Sequence, residues 1–142
     1  MIVILIVYVP KNKIREAQLI FFFKQLITWF FGLIVVQLRL IEYPFRLFPY
    51  ANKTSFSFEY FIYPAICVIF NLHYPKNVGK LKQFLYYVYF CTAITVFEEL
   101  CVEYTNLIKY IHWTWYYTWV SFYLTFYISH KYYLWFFKES KT

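Results

Sequence analysis

The stretch AQLIFFFKQLITWFFGLIVVQLRL, residues 17–40, carries only two charged side chains, Lys24 and Arg39, in twenty-four positions. As a helix it is roughly 36 Å long at 1.5 Å rise per residue, and about 20 mainly apolar residues already cross the hydrocarbon of a bilayer. Three further stretches have the same character: residues 56–72, 84–106 and 113–130. Pro64 inside the second removes a helix hydrogen bond and predicts a kink, tolerated where neighbouring helices compensate. Residues 1–9 are apolar but reach only about 13 Å. They read as a half-span or a truncated span of a chain that starts further upstream, because Pro10-Lys11-Asn12-Lys13 follows instead of a small-residue cleavage site. The expected fold is therefore all-α: one integral membrane domain over residues 1–142, a transmembrane bundle of four full spans plus a short N-terminal hydrophobic segment.

Composition supports the same class. Of the 142 residues 62% are hydrophobic and 15% charged, whereas soluble domains carry roughly 45–50% apolar residues and cover their surface with polar groups. The 28% aromatic content also suits AT-rich coding, so it is not taken as a cofactor signal. Cys67, Cys91 and Cys101 have no metal or haem-attachment spacing, and Cys67 and Cys91 read as small buried hydrophobes. No cofactor and no structural or catalytic metal is expected.

The net charge of +7 lies in short segments between apolar runs, the signature of cytoplasmic flanks rather than of a nucleic-acid groove. Lys11, Lys13, Arg15, Lys24, Lys76, Lys80, Lys82, Lys131, Lys138 and Lys141 fall on one side; Arg39, Arg46, Lys53 and Lys109 fall on the other. Ten against four places the first group, and the C-terminus, in the cytoplasm. The expected setting is a cell membrane, with the bilayer as first partner, a homo-oligomer or a second membrane protein admitted, and nucleic acid excluded.

Polar residues inside the apolar runs need a reason. Gln18, Gln25, Gly32, Arg39 and Arg46 recur every seven residues, and Thr114, Thr118, Ser121, Thr125 and Ser129 mark one face of the last span, a stripe suited to close helix packing. Lys24 is expected to snorkel out to the cytoplasmic surface. On the third span Thr92, Thr95, Glu99, Glu103 and Asn106 lie within roughly 80° of one another, with Glu98 further round. With Glu59 of the second span, these carboxylates gather near the outer boundary, at the level of Arg39, Glu42, Arg46, Lys109 and His112. Ionisable groups within spans face a bundle interior, where they pair or work. One reading pairs Glu59, Glu98, Glu99 and Glu103 with Arg39, Arg46 and Lys109 as a layer that fixes helix order. A second has the carboxylates bind a cation, relay protons or grip an amine-bearing ligand, and a third leaves Glu98–Glu103 outside the membrane as an ordinary solvated face.

His73 and His130, both near the cytoplasmic side, allow a haem bridged between two helices, against the plainer reading as interfacial histidines. Asn52-Lys53-Thr54 matches a glycosylation sequon but reads more simply as a polar turn. There is no Ser-His-Asp pattern, phosphate loop or HExxH.

The segments EYPFR (residues 42–46), ANKTSFSFEY (51–60) and FNLHYP (70–75), taken with FEE (97–99) and YTNLIKYIHWTWY (104–116), carry a resemblance. From about Arg15 onward the chain resembles a family of small uncharacterised multi-pass membrane proteins of endospore-forming, low-GC Gram-positive bacteria. The resemblance implies a cell-membrane location and adds no catalytic residue; the family's N-terminal segment is longer. FEE is also similar to a carboxylate motif of small membrane-bound carotenoid cyclases. The role read from the sequence is a non-enzymatic membrane scaffold or partner subunit. The alternatives are an ion, proton or small-solute conduit using the outer carboxylates, and an enzyme acting on a lipid or isoprenoid by acid/base chemistry.

Overall fold

The computed structural model describes residues 1–139; Lys141 lies outside them. The chain is mostly helical. Helix α1 (Ile2–Tyr8) and a 3-10 turn (Lys11–Lys13) lead into α2 (Ile14–Gln37). A two-residue strand β1 (Ile41–Glu42) follows, then a π-helical segment (Phe56–Ile62) continuous with α3 (Tyr63–Leu72). Next come α4 (Lys80–Tyr104), strand β2 (Lys109–Tyr110) and α5 (Trp115–Glu139). The second stretch has the bounds expected, 56–72. The third helix begins one turn before residue 84, and α5 runs well past residue 130.

Two helices, Lys11–Gln37 (with its 3-10 turn) and Lys80–Tyr104, are long and apolar enough to cross a membrane; Phe56–Leu72 is apolar but shorter. Helix α1 has no buried residue and leans on α3. In the bundle α2 packs mainly on α3 and also on α5, while α5 packs on α4. Phe70 of α3 joins the layers, with ring contacts to Tyr86, Tyr87 and Phe90 of α4 and Phe126 of α5.

The reversal after α2 is a Schellman turn: Leu40 N–H bonds the Val35 carbonyl at 2.9 Å and Arg39 N–H that of Val36 at 3.0 Å. It puts Arg39 at φ 54°, the left-handed conformation usually left to glycine. The chain then enters β1, antiparallel to β2 with Ile41 opposite Tyr110 and Glu42 opposite Lys109. This miniature ladder ties the loop after α2 to the loop after α4 at one end of the bundle.

Pro64 acts through its missing N–H. The chain winds as a π-helix just before it, and Tyr63 N–H reaches back to the Phe58 carbonyl. Pro64 has no N–H to give, and the change from π to α register passes over a further carbonyl, so those of Glu59 and Tyr60 are left without a helical donor. Helix α2 answers both. Thr28 Oγ1 donates to the Glu59 carbonyl at 2.6 Å and Gln25 Nε2 to the Tyr60 carbonyl at 2.7 Å. Ser55 Oγ caps the segment by accepting from Phe58 N–H at 3.3 Å.

Candidate functional site

Glu59 sits at the middle of the π-segment and Glu98 six residues from the end of α4. Both are buried, at 7% and 5% exposure, and both line one cavity of about 280 Å³ together with residues of α2 and α5. Most of that lining is apolar, including Phe31, Ile34, Val35 and Phe122.

The two carboxyls are held differently. Glu98 receives three hydroxyls: Tyr63 on Oε2 at 2.7 Å, and Tyr110 and Thr118 on Oε1 at 2.6 and 3.0 Å. Thr118 in turn accepts from Trp113 Nε1 at 2.8 Å. Three donors on two oxygens are the complement of an acceptor-only carboxylate. Glu59 receives one, from Tyr43 on Oε1 at 2.8 Å. Gly32 of α2 makes its room: a methyl group there would lie 2.9 Å from Glu59 Cδ. Tyr43 and Tyr110 reach in from beside the β1–β2 ladder. Burial, then the neighbouring carboxylates, holds both hydroxyls well above the usual tyrosine range, which keeps them donors.

A second polar group of residues continues from the cavity toward the other end of the bundle. Thr125, a lining residue, accepts from Lys24 Nζ at 2.5 Å. Lys24 is fully buried and also lies 4.4 Å over the Phe126 ring. It does not snorkel to a surface, because the hydroxyl and the ring satisfy it inside. Ser129 Oγ donates to the Thr125 carbonyl at 2.7 Å. Asn71 Nδ2 approaches Cys67 Sγ at 3.3 Å, and Asn71 Oδ1 bonds His130 Nδ1 at 2.8 Å. The hydroxyl stripe of α5 therefore faces inward as expected, and it bonds polar partners as well as packing.

The expected charge layer is rearranged. Glu98 enters the interior, because the buried face of α4 is Tyr87, Cys91, Ile94, Thr95, Glu98 and Cys101; Glu99 is half-buried with one oxygen unpartnered, and Glu103 is exposed. Arg39, Lys109 and His112 are exposed too. Arg46 spends its guanidinium on the Tyr43, Pro49 and Asn52 carbonyls. The hydrogen-bond partners of the buried carboxylates are thus hydroxyls in place of basic side chains. His73 Nδ1 lies 3.1 Å from the Ile69 carbonyl of its own helix, and among the described residues no cluster of His, Cys, Asp or Glu could hold a metal. At Asn52-Lys53-Thr54 the Thr54 hydroxyl closes onto Asn52 Oδ1 at 3.3 Å, as a polar turn does.

Sequence reasoning missed Tyr43, Tyr63 and Tyr110, since tyrosine is so frequent here that no single one stands out. The signal for Lys24 was its place two turns inside an apolar run. Comparison with family models, with curated proteins and with solved structures finds no match.

Proposed function

We propose that this chain is a multi-pass integral membrane protein that takes a proton or small cation into an interior carboxylate cavity and passes it along the buried polar track. The observation that carries this reading is the convergence of Glu59 and Glu98 on one cavity. A purely architectural role gives no account of why one of only two glycines is placed to house the Glu59 carboxyl.

The membrane setting rests on surface as well as length. Large apolar residues point outward along α2 (Phe22, Leu26, Phe30), α4 (Leu85, Val96, Leu100) and α5 (Val120, Leu124, Ile128), all more than half or nearly half exposed. Such a girdle suits lipid and would be a severe liability in water. On this reading α2, the π-segment with α3, α4 and α5 are four spans. Helix α5 is rich in Tyr and Trp, rings that belong at membrane interfaces. With Lys24 held in the interior, nine basic residues against four still favour a cytoplasmic C-terminus in a cell-membrane protein, with the β1–β2 ladder outside.

The test is proton flux into proteoliposomes holding a pH-sensitive dye. Flux that disappears in Glu59→Gln, with the variant still folded, supports the reading. Absence of flux and of proton uptake in the wild-type protein overturns it and returns the chain to the scaffold class.

A further inference from the structure

Glu59 has an acceptor to spare. Its side chain is more than nine-tenths buried, its Oε1 is taken by Tyr43, and among the described residues Oε2 has no hydrogen-bond partner. The fully buried cation of the bundle, Lys24, directs its ammonium to Thr125 and the Phe126 ring. Glu98, by contrast, has both oxygens engaged, by three hydroxyls in all. One carboxyl is thus held as fixed scenery and the other faces the cavity with bonding capacity unused.

The space beside it is mostly apolar and of limited size. About 280 Å³ lies just below the range of ligand pockets, which run from about 300 to 1,000 Å³. Phe31 and Ile34 line it while remaining 49% and 38% exposed, so these two side chains belong both to the cavity wall and to the apolar outer face of α2. A calcium or magnesium ion is a poor occupant, since it needs six or more oxygen ligands and one free carboxylate oxygen is offered. An anion meets a carboxylate. A charged donor on an apolar body fits both parts, since its ammonium completes Glu59 through a charge-assisted bond and its body fills the apolar lining.

We infer that the cavity binds a small primary amine carried on an apolar body, admitted from the lipid side between Phe31 and Ile34. This rests on the proposed carboxylate-cavity reading and names its solute. Glu59 Oε2 accepts from the ammonium; Glu98 and its three hydroxyls act as positioning groups that shape the polar end.

The test uses the full chain in lipid nanodiscs and calorimetric titration with phenethylamine, and with phenylethanol and phenylpropionate as neutral and anionic counterparts of similar shape. The expected result is binding of the amine, roughly tenfold or more weaker binding of the alcohol, and none of the acid. This series needs only the wild-type protein. Glu59→Gln should then weaken the amine by roughly 10- to 100-fold while leaving the alcohol unchanged. Equal binding of amine and alcohol overturns the inference, as does undiminished amine binding in a folded Glu59→Gln variant. If no amine binds but proton uptake still depends on Glu59, the solute class is wrong and the proposed function stands. If both are absent, both fall.

Discussion

Arg39 was expected to face a carboxylate, and it sits instead at the C′ position of α2 with φ 54° and an exposed side chain. A non-glycine residue in that conformation costs about 1 kcal/mol or more. Arg39→Gly should therefore stabilise the protein by about 1 kcal/mol in a reversible unfolding assay in detergent. A loss of stability instead would mean that the guanidinium makes a contact stronger than the strain. Tyr110 belongs at the same scale. Removing its hydroxyl in Tyr110→Phe takes away the shortest bond to Glu98, and bonds to a charged group contribute about 1.5–3 kcal/mol. The pH dependence has a definite sign. A tyrosine whose folded pKa is raised above the ordinary 10.0 contributes stability that is complete below pH 10 and lost as pH climbs toward the folded value. Unfolding midpoints should fall above about pH 10, and fall less in the double variant Tyr43→Phe/Tyr110→Phe.

The π-segment and α2 form one structural unit at the level of elements. Pro64 and the π-to-α switch beside it leave two carbonyls free, and α2 supplies Thr28 and Gln25 to meet them. Thr28→Val keeps the shape and deletes the donor, leaving the buried Glu59 carbonyl without its partner at a cost of about 1–3 kcal/mol. If Pro64→Ala lets the chain return to a regular helix, the penalty of Thr28→Val should shrink in the double variant; additive losses would show that the two sites are not coupled. Gly32→Ala gains about 1 kcal/mol of helix propensity in principle. Here it should be destabilising, because the new methyl group meets Glu59 Cδ at 2.9 Å and must displace the carboxyl from Tyr43.

The described residues carry an apolar girdle on their outer faces around a largely apolar core that encloses a file of buried polar groups. The proposed membrane setting requires that those buried polar groups find partners inside the bundle. Its orientation is testable directly: a cysteine introduced at Asn52, in a background with Cys67, Cys91 and Cys101 replaced, should be labelled by an impermeant reagent from outside intact cells. Labelling only from the cytoplasmic side would reverse the orientation argued from the basic residues.

Helix content, the bounds of the segment 56–72 and the inward hydroxyl stripe of α5 were legible from residue order alone, because apolar run length and helical period are local properties. Pro64 likewise announced a local disturbance. Which carboxylate entered the interior was not legible. Glu98 and Glu99 are neighbours on α4, and only the packing of α4 against α5 and α3 selects the face that carries Glu98. Polar periodicity pointed to the Glu99 and Glu103 face, yet one turn of α4 near its end is bordered by solvent-facing loops, where a polar stripe needs no burial. Lys24 was read as snorkelling because a lysine near a helix end can reach out; the Thr125 hydroxyl and the Phe126 ring, 101 and 102 residues further along the chain, hold it inside. Partners at that separation are brought together only by tertiary contacts, and they turn scattered polar residues into a cavity.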